Sequence, residues 1–166
     1  MEIVRSHILV CGGTGCNSSG SQEVLKQLDI ELKAHGLEKE VKVIQTGCFG
    51  LCELGPVMVV YPEGAFYSQM TPDHVKEIVE EHILKGRVVK RFLYSETVSD
   101  DTIKSLNETN FYKKQLRIAL RNCGVINPEN IEEYIAFGGY RALGRALTEW
   151  TPAQVIQMIT DSGLRG

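Results

Sequence analysis

The 166-residue chain has no uninterrupted apolar run near the 18–20 residues that a bilayer crossing requires, so no membrane-spanning helix is expected. It lacks the basic excess of a nucleic-acid binder: 18 Lys+Arg stand against 21 Asp+Glu, for a net charge of -3. Its first ten residues, MEIVRSHILV, carry no cleavage-site pattern and are too short for a signal peptide. A cytoplasmic location is therefore expected. No Cys-x-x-Cys dithiol, G-x-G-x-x-G fingerprint or Gly-Lys-Ser/Thr loop is present. These absences exclude a thioredoxin-type exchange centre and the common dinucleotide and phosphate-binding loops. Ser/His/Asp and paired-carboxylate arrangements are also missing, and the four histidines (His7, His35, His74 and His82) are dispersed without ligand spacing. They read as surface or structural residues.

What remains is uneven. Residues 1–86 carry 7 Lys+Arg against 12 Asp+Glu, whereas residues 87–166 carry 11 against 9. Four of the five cysteines fall in the acidic half, where disulfides would not persist in a reducing compartment.

The first half alternates strand and helix signals. Residues 3–10 read as a buried strand and are followed by the glycine-rich CGGTGCNSSGS. Ser19 and Gln22 have capping-box spacing at the start of a helix. Val24, Leu25, Leu28 and Leu32 form its apolar stripe, and Gly36 ends it. Residues 41–46 and 57–61 predict strands on either side of the loop GCFGLCELGP, and 65–67 a short fourth strand. Thr71-Pro72 opens a helix with Val75, Ile78, Val79 and Ile83 inward, ending near Gly86. A helix between the first two strands favours a parallel pair, and the tight turn at Gly64 an antiparallel hairpin. The expectation is an α/β fold with a small mixed sheet.

Residues 87–94 read as extended and 95–110 as a polar linker. Four helical segments follow. The first covers residues 111–123, with Leu116, Ala119, Leu120 and Cys123 on one side; the second starts at Asn127-Pro128 and carries Ile131, Tyr134 and Ile135. The third carries Tyr140, Leu143 and Leu147, and the last, begun by Thr151-Pro152, carries Val155, Ile156 and Ile159. The organisation expected is thus 1–86, an extended linker 87–110, and a helical part 111–166. Cys123 is expected in the core of its helix. Lys85, Arg87, Lys90 and Arg91 read as a solvated helix end, with docking of an acidic partner the alternative. Glu53 reads as a solvated acid.

Four residues separate Cys11 from Cys16 and three separate Cys48 from Cys52, and each pair lies just after a predicted strand. Loops that follow parallel strands emerge at the same sheet end, so the pairs can converge on a metal centre. Zinc knuckles place their pairs roughly 12–20 residues apart. Here 31 residues and a whole helix intervene. Two dithiolate edges suit a [2Fe–2S] rhomb better, with a structural zinc module the alternative and an oxygen- or iron-sensing cluster a third option. Gly12, Gly13, Gly15, Gly47 and Gly50 would let backbone N–H groups approach the sulfurs and raise the potential.

The segments CGGTGC and TGCFGLCELGPVMVVYPEG resemble the thioredoxin-like [2Fe–2S] ferredoxin family over about residues 1–90, which also occurs as a domain of complex I and of hydrogenases. The resemblance implies a thioredoxin-like fold, Cys11, Cys16, Cys48 and Cys52 as cluster ligands, one-electron transfer, and a cis proline at Gly55-Pro56. FYKKQLRIALRNCGVINPENIEEYIAFGGYRALGRAL and TPAQVIQMITDSGLRG look like the start of the NADH-binding flavoprotein subunit of complex I and its relatives. Together the halves are most similar to the beta subunits of NAD(P)-linked, often electron-bifurcating [FeFe] hydrogenases. That likeness implies an electron-transfer part with no catalytic residues of its own, working with other subunits of such an assembly and able to form a homodimer. It places FMN, NAD(P)H and [4Fe–4S] sites beyond Gly166, and it implies that a flavoprotein domain covers part of the helical face, including Trp150 and Ile159.

Overall fold

The computed structural model describes residues 4–95 and 109–166. They fall into two compact units, Met1–Pro128 and Glu129–Gly166.

The first unit is built on a four-stranded sheet in the order β2-β1-β3-β4. Strand β1 (Ser6–Cys11) pairs in parallel with β2 (Val41–Thr46) and antiparallel with β3 (Met58–Tyr61), and β3 makes a hairpin with β4 (Ala65–Tyr67). This is the mixed sheet that the helix-then-hairpin order predicts.

Side chains alternate across the sheet with the period of two that extended backbone imposes. Ile8, Val10, Met58, Val60 and Tyr67 face helix α2 (Ser21–Ala34) and helix α3 (Pro72–Glu77), which continues as a wider π-helical stretch, Ile78–Ile83. Leu9, Cys11, Val59 and Phe66 face the other way and pack with Phe49 and Tyr112. One face thus has a helical roof. The other meets the cysteine loops.

Several local expectations are corrected. Helix α2 starts at Ser21, after Gly20 at φ 100°, and the Ser19 capping box does not form; the Gln22 amide instead donates to Asn17 Oδ1 at 3.1 Å. A short helix α1 (Thr14–Ser18) occupies the glycine-rich stretch read as loop. Within the stretch expected to be extended, Lys90–Phe92 form a 3-10 turn, and Leu93 bridges Tyr67. Only Asn110–Lys113 of the expected helix 111–123 is helical (α4). Gly124 at φ 75° and turn hydrogen bonds such as Gln115 N–H to the Tyr112 carbonyl replace the rest. Most of the expected linker lies outside the described residues. The peptide bonds Gly55-Pro56 and Tyr61-Pro62 are both cis.

The second unit holds α5 (Ile131–Ala136), α6 (Arg141–Glu149) and α7 (Pro152–Asp161). Helix α5 begins three residues after Pro128, because Asn130 caps it by accepting from Glu132 N–H at 3.0 Å. Thr151 and Gln154 form a reciprocal capping box on α7. The large apolar side chains Ile131, Ile135, Leu143, Leu147, Ile156 and Ile159 are exposed. Among the described residues no helix is long and apolar enough to cross a membrane.

Candidate metal centre

The parallel β1–β2 register sets Cys11 opposite Thr46, so the chain leaves both strands at the same edge. Gly12 N–H donates to the Thr46 carbonyl at 2.9 Å, extending the ladder by one bond. The two cysteine loops therefore start side by side. Their contact is close: a Cβ on Gly13 would stand 2.9 Å from Cβ and Sγ of Cys48, and one on Gly15 would stand 3.3 Å from Sγ of Cys52. A Cβ on Gly55 would reach 2.9 Å from Sγ of Cys16.

Cys11 ends β1 and Cys16 lies in α1; both are buried. Cys48 lies in the loop after β2, Cys52 opens the 3-10 turn Cys52–Leu54, and both are exposed. The site is therefore dry on one side and accessible on the other. Its thiols stand as two neighbouring pairs, Cys11 with Cys16 and Cys48 with Cys52. Burial, then the bonded and charge-coupled Cys11, push the Cys16 thiol up to about 12; the Val57 amide and Cys52 also act on it. The hydrogen-bonded Cys48 is the largest cause raising Cys52. Each thiol must lose its proton before the sulfurs can bind metal. Among the described residues no three His, Cys, Asp or Glu side chains close on a single ion position. A donor set of two facing thiol pairs fits a centre with two metal ions.

Backbone groups reach the sulfurs selectively. Gly50 N–H donates to Cys48 Sγ at 3.3 Å. Gly12 N–H is spent on Thr46, while Gly13 and Gly15 supply closeness to the opposite loop, and Gly47 lies against Cys123. Asn17 braces the first loop by donating to the Gly12 carbonyl at 3.1 Å and accepting from Ser21 Oγ at 2.7 Å. Val57 and Asn17 are site residues that cysteine spacing alone does not reveal, although an Asn directly after Cys16 is a visible loop-bracing signal.

Cys123 corrects a further expectation. It is not in a helical core: its Sγ donates to the Cys48 carbonyl at 3.2 Å, and Leu116 and Leu120 are exposed. Burial is the main cause raising its thiol. Glu53 is exposed, and three of the four cations beyond it are internally paired: Lys85 and Arg87 with Glu81, and Arg91 with Glu77. Among the histidines, His82 is buried and His74 stacks on Phe92.

A family model described as thioredoxin-like [2Fe-2S] ferredoxin matches residues 2–82. A 2Fe-2S ferredoxin of Clostridium pasteurianum is 45% identical over 97 residues, which are 52% of this chain and 93% of the relative. A solved thioredoxin-like [2Fe-2S] ferredoxin from Aquifex aeolicus superposes with a TM-score of 0.51 at 34% identity, over 56% of this chain and 99% of that one. The HndC subunit of an NADP-reducing hydrogenase from Solidesulfovibrio fructosivorans is 59% identical over 54 residues, 32% of this chain but only 11% of the relative. The Clostridium pasteurianum ferredoxin is matched almost end to end, on a sheet that brings both cysteine loops to one edge: the chain belongs to the thioredoxin-like [2Fe-2S] ferredoxin family.

Proposed function

We propose that Cys11, Cys16, Cys48 and Cys52 hold one [2Fe–2S] cluster, and that the chain passes single electrons within an NAD(P)H-linked hydrogenase or complex I-like oxidoreductase. The observation that carries the cluster assignment is the mutual approach of the two loops, with Gly13 and Gly15 against Cys48 and Cys52. When bound, the cluster supplies reversible one-electron chemistry. The chain's own residues do the rest. The β1–β2 ladder fixes the spacing of the loops, and Asn17 holds α1 against the first. Gly50 directs its amide at Cys48, and such a bond favours the more negative, reduced state. Exposure of Cys48 and Cys52 gives a partner's redox centre a short approach, while burial of Cys11 and Cys16 keeps water from the inner edge.

Two partial matches support placement in such an assembly: the one to HndC, and one to an NADH-quinone oxidoreductase component from Rhizobium meliloti, 43% identical over 49 residues and 12% of that relative. In this reading residues 1–86 are the electron-transfer domain and the part beyond 110 is flavoprotein-like, serving as a docking extension toward FMN- and NAD(P)H-binding partners.

Anaerobic reconstitution with iron and sulfide tests the assignment. The expected product is brown, binds iron and sulfide in equal amounts, and gives a paramagnetic signal only after dithionite reduction. A colourless protein that takes up zinc and no sulfide would overturn it.

A further inference from the structure

The loop bearing Cys48 is tied down from outside the family-matched region. Residues 109–126 cross the second face of the sheet and bond to that loop repeatedly. The Tyr112 hydroxyl donates to the Phe49 carbonyl, and Tyr112 is 4% exposed. Cys123 Sγ donates to the Cys48 carbonyl, and Gly124 N–H donates to Thr46 Oγ1 at 3.1 Å. Tyr61 returns a bond from the sheet to the Gly124 carbonyl at 3.3 Å. The Phe111 ring lies 3.6 Å from where a Cβ on Gly50 would stand. A segment that merely covered apolar surface would need no such polar bonds. Here they fall on residues 46, 48 and 49.

One bond has a direct chemical consequence. The Phe49 carbonyl and the Gly50 N–H are opposite ends of a single peptide unit, whose atoms are held coplanar. Tyr112 grips the oxygen end, and the N–H end donates to Cys48 Sγ. Gripping the oxygen fixes the direction of the N–H and polarises it, strengthening its bond to sulfur. Cys123 holds the preceding peptide unit by its Cys48 carbonyl, which fixes the backbone that carries the Gly50 N–H toward the sulfur.

We infer that residues 109–126 form a positioning strap for the outer edge of the cluster, in which Tyr112 strengthens the Gly50 bond to Cys48 through their shared peptide unit and Cys123 holds the preceding unit in place. This rests on Cys48 being a cluster ligand. Neither residue touches the metal in this arrangement. Both raise the cluster's reduction potential by favouring the reduced state.

The experiment is an EPR-monitored redox titration of the reconstituted full chain and of Tyr112→Phe, with chemical denaturation run in parallel. Phenylalanine keeps the ring packed and removes only the donor. The midpoint potential is expected to fall, and the coupling of the exchangeable Gly50 proton to the reduced cluster to weaken. An unchanged potential and coupling in cluster-bearing Tyr112→Phe would overturn the inference. Should that variant fail to fold, Cys123→Ala and Cys123→Ser decide: the alanine variant should lower the potential and the serine variant, which keeps a donor, should restore it. Equal potentials in both would overturn the inference. Wild-type protein that assembles no cluster would instead defeat the reading on which the strap depends.

Discussion

Cys11 and Thr46 are partners in the parallel ladder, and that pairing brings together two cysteine pairs separated by 31 residues of sequence. A shift of one residue along β2 would carry Cys48 away from Gly13 and exchange the two packed faces of the strand. Val41 packs into the helix-covered cluster and Ile44 into the opposite one, so burial on both faces specifies the register. Core packing thereby sets how the two cysteine loops meet.

Gly13→Ala tests the contact between the loops. The new Cβ would stand 2.9 Å from both Cβ and Sγ of Cys48, and neither backbone can yield without separating the pairs. Iron incorporated per chain should drop several-fold while far-ultraviolet circular dichroism stays native. Wild-type iron content in this variant would show that the loops need not approach so closely.

The sheet, its parallel and antiparallel pairings, α2, α3 and the convergence of the two cysteine segments are legible from sequence, because periodic apolar residues and glycine or proline punctuation report local structure directly; helix α1 within the first segment is not. Nor are residues 109–126. Leu116 and Leu120 have helical spacing but are exposed; Tyr112, Cys123 and Ile126 would share that stripe on a continuous helix, but the chain is helical only over Asn110–Lys113 and they turn toward the first unit's interior or its cysteine loop by another route. Their placement depends on contacts 60 to 80 residues away in sequence, such as Tyr112 with Phe49 and Gly124 with Thr46. Helix periodicity carries no record of these contacts. The Tyr67–His82 pair escaped notice for the same reason, since it joins a strand to a π-helical stretch through one side-chain bond.

Leu28→Ala probes the helical roof. Leu28 is fully buried on α2 in the cluster that includes Ile8, Val10 and Val75. Removing its branched end leaves a cavity, and large-to-small changes of this kind cost about 2–5 kcal/mol. The denaturation midpoint should fall with the slope unchanged. A loss under about 1 kcal/mol would mean that the roof collapses onto the gap.

Arg117 places a positive charge beside the strap: its guanidinium lies 4.5 Å from the centre of the Tyr112 ring and donates to the Cys123 carbonyl at 3.4 Å. Because reduction adds negative charge, Arg117→Gln should lower the cluster's midpoint potential, and Arg117→Lys should lower it less. The difference between wild type and Arg117→Gln should shrink as salt is added, since partly exposed charges are screened. A salt-independent difference would assign the effect to lost stacking on Tyr112.

His82 should make the fold sensitive to mild acid. Tyr67 Oη accepts from Val89 N–H at 3.2 Å, which leaves its proton for His82 Nδ1 at 2.8 Å. The ring is thereby held neutral with its remaining proton on Nε2, which lies 3.5 Å from Glu63 Oε2 without a hydrogen bond. Burial lowers the histidine below its ordinary 6.5, outweighing the upward pull of Glu63. The unfolded chain therefore takes up a proton near pH 6.5 that the folded chain refuses. Stability is level above that pH and falls as pH drops toward the folded value, by up to about 1.4 kcal/mol per pH unit for one proton. In His82→Phe this part of the slope should vanish, even though the variant loses the Tyr67 bond and is less stable at neutral pH. Parallel denaturation curves between about pH 7.5 and 5, run in one cluster state, make the measurement; equal slopes in both proteins would show that His82 accepts its proton inside the fold.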